Sequence, residues 1–397
     1  MTKRMGFILA ILVCFLIAGT YRIYAANRLN VDIDELTYLQ AGQTYANYLG
    51  TGQLAGLSTG RVSYEHPVLY KVLYGVALLT QPARKPIGPT ELPPASSVSR
   101  SSVAKWVMAD RYVSVSFGTL AVMTLAVVDP FAGLFLGLQT LSVKYTSEIY
   151  LEALPLLTSL LCALAYLRWV ALLQQAPPTS RRPLPWLLLS ALFMGLTAAS
   201  KYVYCVVGLG IVLHFLISLF RKQISWRAGG WLLAWGLLSL LVFLAFDPYL
   251  WVDPLRRILA TTSYHFRLQG KVYKESLTSK KPAFPFWQPL RWLFSPARYY
   301  DLGPNSVFKV NIDVLICILA VIGLPRFIQK RLLFFCWLLA GLVFLLLWSA
   351  KWPQYILIIL APFSLAASEG VLTLWYLAKA FLSRRQAVNA QDTEAAS

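Results

Sequence analysis

The sequence predicts an all-α polytopic membrane protein with about ten transmembrane helices (about nine to twelve at the limits) and two long external loops carrying short juxtamembrane helices. Three observations support this. Of 397 residues, 57% are apolar and only 13% charged, with a mean hydropathy of +0.58, whereas a soluble domain is about one-quarter charged. Apolar runs of about 20 residues, long enough to cross a hydrocarbon core as a helix, recur from end to end. Basic residues concentrate in alternate connections between those runs.

The first run, 6–26, follows Lys3 and Arg4. It is long for the apolar part of a signal peptide, and Ile23 interrupts a small-x-small pattern before Ala25, so it reads as a retained span. Further spans are expected near 107–128, 130–146, 150–171, 185–200, 202–220, 230–250, 308–325, 332–350 and 354–381. Only Asp129-Pro130 separates the second from the third. The run Leu69 to Thr80 is too short to span and reads as an amphipathic or partly embedded helix.

With the N-terminus inside, the inner connections hold Arg168, Arg181, Arg182, Arg221, Lys222, Arg227, Arg326, Lys330, Arg331, Arg384 and Arg385. Their near-freedom from acids follows the positive-inside rule. Much of the net charge of +19 is therefore a topology signal, which argues against a nucleic-acid partner. The five cysteines all lie in apolar runs without metal or disulfide spacing. One membrane domain over 1–383 and a short cytoplasmic tail, 384–397, are expected.

Two long loops, 27–106 and 251–307, fall outside. The second carries Arg256, Arg257, His265, Arg267, Lys271, Lys274, Lys280, Lys281, Arg291 and Arg298. Long loops translocate largely regardless of charge, so the topology survives, and the cations point to an anionic ligand. The first loop holds N-V-D-I-D-E-L-T-Y, with Asp32, Asp34 and Glu35 just after the first span, and Y-E-H-P-V-L-Y-K, with Glu65, His66 and Lys71. Asp32 or Asp34 would serve as a helix cap, and Glu65 alone would be an ordinary loop acid. Lys201 and Lys351 end the fifth and ninth spans on the same expected face, where each could simply snorkel to the interface. Together, carboxylates and cations suit a reaction in which a base activates an acceptor while a lipid-linked phosphate leaves.

The ordered set D-E-x-x-Y (Asp34, Glu35, Tyr38), E-H-P-x-L (Glu65 to Leu69) and K-W-P-Q-Y-x-L-x-x-x-x-P (Lys351 to Pro362) resembles the C-type integral-membrane glycosyltransferases. The pattern is most similar to the branch holding protein O-mannosyltransferases and lipid A aminoarabinose transferases. That resemblance implies Asp34 as catalytic base, with Glu35 and Tyr38 completing its motif and Glu65, His66 and Pro67 forming the second acidic motif. Val68 stands where the family commonly has a second proline. It also implies donor-phosphate or substrate contacts from Arg111, Lys201, Lys351 and Tyr355; Lys71, Tyr202 and the arginines and histidine of the basic loop (Arg256, Arg257, His265, Arg267) are further candidates. S-E-I-Y-L-E-A-L-P-L-L (Ser147 to Leu157) resembles a recurring family segment, with no role assignable to Glu148 or Glu152.

The activity so implied is inverting transfer of a sugar from a polyprenyl-phosphate-linked donor to a hydroxyl of a protein, lipid or glycan on the non-cytoplasmic face. No organic cofactor is expected, although Asp34, Glu35 and Glu65 offer the oxygen ligands a divalent cation takes. A flippase or transporter of a lipid-linked or anionic solute is the alternative. Transporters, however, place ionisable groups near the bilayer midplane, often with internal repeats. A ligase using a lipid-pyrophosphate oligosaccharide shares the architecture.

Overall fold

The computed structural model describes residues 3–59, 63–81, 100–175, 182–278, 284–296, 307–308 and 311–395. Sixteen α-helices and no strand occur among them. Helix α1 (Lys3–Arg28) is followed by the outer-loop helices α2 (Ile33–Gly50), α3 (Gly56–Thr59) and α4 (Leu69–Leu78). Then come α5 (Arg100–Val128), α6 (Pro130–Leu138), α7 (Thr140–Tyr145), α8 (Ala153–Gln175), α9 (Leu184–Ser200), α10 (Val206–Phe220) and α11 (Gly229–Phe246). The chain ends with α12 (Pro254–Thr278), α13 (Gln288–Phe294), α14 (Asp313–Lys330), α15 (Leu332–Leu347) and α16 (Leu357–Ala395).

Among the described residues, six segments are long and apolar enough to cross a bilayer: Arg4–Arg28, Lys105–Val128, Ala153–Gln175, Tyr202–Phe220, Gly229–Phe246 and Pro353–Gln386. Shorter apolar helices, including α4, α9 and α15, accompany them. The last segment is central, with 83% of its apolar window buried, whereas α1 and α11 bury only 17%. Leu9, Leu12 and Leu16 of α1 and Leu233, Leu237 and Leu241 of α11 are accordingly exposed, which in a bilayer is contact with lipid. Helices α14 and α16 touch backbone to backbone. A Cβ on Gly323 would collide with the Ala366 carbonyl and the Gly370 amide, and one on Gly370 with the Leu319 carbonyl.

The run expected as a single span over 130–146 is instead two short helices that meet at Gln139. Asp129 caps α6, accepting from the Ala132 amide at 3.1 Å. Asp313 caps α7 from another helix, accepting from the Thr140 hydroxyl at 2.6 Å and the Thr140 amide at 3.2 Å. Nonhelical backbone at this depth persists only where protein satisfies it. Arg22 of α1 does part of this for the end of α6. Fully buried, it donates to the Thr146 hydroxyl (2.8 Å), the Ser142 hydroxyl (2.9 Å) and the Gly137 carbonyl (3.2 Å).

Candidate functional site

The first acidic motif is built by a capping box. Asp32 is the N-cap of α2; its Oδ1 accepts from the Asp34 amide at 3.3 Å, and its own amide donates to Glu35 Oε2 at 2.9 Å. Glu35 is fully buried and also accepts from the Ile149 amide (2.8 Å). Arg111 of α5 grips it from Nε (2.8 Å) and Nη2 (2.6 Å). The remaining Arg111 donors reach the carbonyls of Ala26, Leu29 and Asn30. All five guanidinium N–H groups are thus committed to protein. Arg111, expected near donor phosphate, clamps the α1–α2 connection instead, and Glu35, expected beside the catalytic base, is the clamp's other jaw.

Asp34 is placed differently. Its carboxylate is half-buried, and the Tyr150 side chain favours the ionised form of both it and Asp32. Burial, then the charge of Asp32, hold the Asp34 carboxyl above its ordinary value despite the opposing influence of Lys201 and Lys144. Asp32 ends below its ordinary value: burial opposes this, but Lys144, 3.2 Å away, outweighs it. Lys144 also pairs with Glu148 at 2.7 Å.

Lys201 lies where α9 gives way to extended backbone (φ −162°). It is buried, ion-paired with the buried Glu152, and set over the Tyr355 ring at 5.4 Å. Glu152 and Asp34 both act electrostatically on Tyr38 and Tyr355. Asp34, Tyr38, Lys201 and Tyr355 therefore share one neighbourhood, although they are drawn from α2, the end of α9 and the turn before α16.

The second acidic motif closes beside the first. Ser63 adopts a positive φ of 53°, and its hydroxyl donates to Glu65 Oε1 at 2.7 Å. Lys71 is buried and donates to the Ser63 and His66 carbonyls at 2.7 and 2.8 Å, so it shapes the turn. His265 Nε2 meets the Glu65 carbonyl at 2.9 Å. The His66 ring bridges Tyr38 (6.1 Å between centroids) and His265 (5.9 Å). Burial, then the charges of Lys201, Lys71 and His265, hold His66 well below its ordinary value, leaving a neutral imidazole.

The other expected contacts divide. Tyr202 reaches Asp247 at 3.5 Å. Arg257 binds the Ser58 and Tyr249 carbonyls. Arg256 and Arg267 are exposed on α12, Arg267 donating to the Ser263 carbonyl at 3.2 Å. Lys351 donates to the Leu345 (2.6 Å), Leu346 (2.9 Å) and Trp348 carbonyls; it caps α15 rather than facing a phosphate. The Lys274 side chain and Lys280, Lys281 and Arg298 lie outside the described residues. Asp34, Glu35 and Glu65 do not form a joint metal ligand set, since Glu35 is consumed by Arg111. Among the described residues, no cluster of three or more His, Cys, Asp or Glu side chains could hold a metal.

Glu152 and Tyr150 were not expected at the site. Their signal was present in the segment Ser147 to Leu157: carboxylates entering an apolar helix require a partner, and Lys201 is that partner for Glu152.

Taken together, the chain is an all-α integral membrane protein whose helical bundle shares its fold with two solved membrane proteins. It is similar to ArnT from Cupriavidus metallidurans bound to undecaprenyl phosphate, with a TM-score of 0.52, 15% identity, and coverage of 93% of this chain and 60% of that one. The apo state of the same protein gives a TM-score of 0.53. The archaeal oligosaccharyltransferase AglB from Archaeoglobus fulgidus, in complex with an inhibitory peptide and a dolichol-phosphate, gives 0.55 at 12% identity, covering 97% of this chain and 52% of that one. The chain thus spans just over half the length of these proteins. No family model matches its sequence, and no curated protein does.

Proposed function

We propose that the chain is an inverting glycosyltransferase that takes a sugar from a polyprenyl-phosphate-linked donor and acts on the non-cytoplasmic face, with both termini cytoplasmic. Asp34 accepts the proton of the acceptor hydroxyl as that oxygen attacks the anomeric carbon. The bond from anomeric carbon to phosphate oxygen breaks, and the lipid phosphate departs with the electron pair. Positioned base catalysis contributes on the order of 10² to 10⁴ in rate. A carboxyl held above its ordinary value is the stronger base for this work. Lys201, fixed by Glu152, supplies positive charge beside the leaving group, and Arg256 and Arg267 on α12 offer more from the loop side. Such preorganised charge replaces a general acid for a phosphate leaving group.

The observation that carries this reading is the contrast between two adjacent carboxylates. Glu35 is saturated by protein donors, while Asp34 is held at the same helix start, half-open and under the influence of Lys201. The test uses purified protein in detergent with a panel of polyprenyl-phosphate-linked pentoses and hexoses and native membrane extract as acceptor. Release of polyprenyl phosphate is expected, and Asp34→Asn should lower it about 10² to 10⁴-fold. Full turnover by that variant would overturn the base assignment. Activity confined to sealed vesicles would favour a flippase.

A further inference from the structure

Helices α5, α8 and α10 leave the acidic loop and run to the opposite end of the bundle, and α15 begins there. At that end a cavity of about 290 Å³ opens. Three cations line it: Arg221 from the end of α10, and Lys330 and Arg331 from the α14–α15 junction. The positive-inside tendency accounts for basic residues at this end. It does not account for their convergence on one concavity together with two kinds of N–H donor.

The first donor is His214, which also lines the cavity and is only 8% exposed. Its Nδ1 is 3.0 Å from the Tyr166 hydroxyl. With the Tyr166 hydroxyl as donor to that nitrogen, the imidazole carries its proton on Nε2, for which no hydrogen-bond partner occurs among the described residues. The second is the start of α15. Its first helical bond runs from the Phe335 amide to the Arg331 carbonyl, which leaves the amides of Leu332, Leu333 and Phe334 without a helical acceptor. These three residues line the same cavity. No acid is among its lining residues; Glu369, the partner of Arg331 (3.2 Å), is shared with Arg326 (2.7 Å).

We propose that this cavity is an anion site for a phosphate group, separate from the transfer site at the other end of the bundle. Unpaired amides at a helix start, an imidazole N–H and flanking cations are the donor set a phosphate takes. Apolar walls from Leu167 and Phe334 would accept the first carbons of a phosphate ester. The phosphate could belong to a lipid headgroup or to a soluble ester, and the two are separable.

Native mass spectrometry of the full chain in detergent, with phosphatidylglycerol in one arm and inorganic pyrophosphate in the other, tests the site. Arg221 and Lys330 are exposed, so Arg221→Gln/Lys330→Gln should fold, with its ligand-free unfolding midpoint unchanged. Binding of either probe to the parent and at least a tenfold weaker affinity in the double variant are expected. A control at the same end but outside the cavity lining, Arg168→Gln/Lys222→Gln, should bind as the parent does. Phosphatidylglycerol binding alone identifies a lipid headgroup site, and competition by pyrophosphate a site for soluble phosphate. Binding of neither probe, or equal losses in both double variants, would overturn the proposal.

Discussion

Replacing Glu35 by alanine removes the acceptor for four donors: two from Arg111, the Ile149 amide and the Asp32 amide. Both charged partners are buried. Breaking a buried ion pair from one side costs about 3–5 kcal/mol, because the surviving charge is left without compensation. The stranded Ile149 amide adds about 1–3 kcal/mol. These contributions overlap, so a loss of about 5 kcal/mol is expected. The three carbonyl contacts of Arg111 would also loosen, freeing the entry to α2. The assay is a double-mutant cycle on unfolding in detergent, using Glu35→Ala, Arg111→Ala and the pair. The double variant should be less destabilised than the sum of the singles, with a coupling of at least about 2 kcal/mol. Asp34→Asn should leave the unfolding midpoint near that of the parent while abolishing most turnover. If Glu35→Ala were as stable as the parent yet as inactive as Asp34→Asn, the clamp would be refuted and Glu35 would join the base.

Further outcomes follow from the same geometry. Because the base must be ionised, turnover should rise with pH through an acid limb lying above the ordinary aspartate value of about 3.9. Tyr150→Phe removes a hydroxyl that favours ionised Asp34, so the limb should move to still higher pH; an unmoved limb would separate Tyr150 from Asp34. Lys351→Met leaves the last carbonyls of α15 without their cap and should cost about 1–2 kcal/mol with the donor KM unchanged. A raised donor KM would return Lys351 to the phosphate. Gly323→Ala forces a methyl against the backbone of α16 and should destabilise by about 1–3 kcal/mol, measured as a lower unfolding midpoint.

The apolar helices and the two acidic motifs were legible because hydrophobic run length and short polar patterns are local properties of a chain. The acceptors of buried cations were not. Arg111 and Lys351 read as phosphate ligands because their charge is visible in the sequence, whereas the carbonyls that occupy them belong to helix ends and carry no residue signature. Asp34 and Glu35 stand side by side in one motif, and the clamp that holds Glu35 is seen only with the arrival of Arg111, 76 positions later. The break at Gln139 was hidden for a similar reason. An apolar run reads as continuous until Asp313, from a distant helix, is seen capping its second half.

Arg22 also sets a condition on how the molecule is made. Its partner Thr146 lies 124 residues further along the chain, so at translation rates of 5–20 residues per second the guanidinium waits roughly 6–25 s for it. During that interval α1 is already a hydrophobic segment ready for the bilayer. Arg22 lies within about 9 Å of the helix end at Arg28, close enough for its side chain to reach headgroups and water. The first helix can therefore enter early and unpaired, and it is locked in place only when α6 and α7 arrive to take the arginine over from the lipid surface.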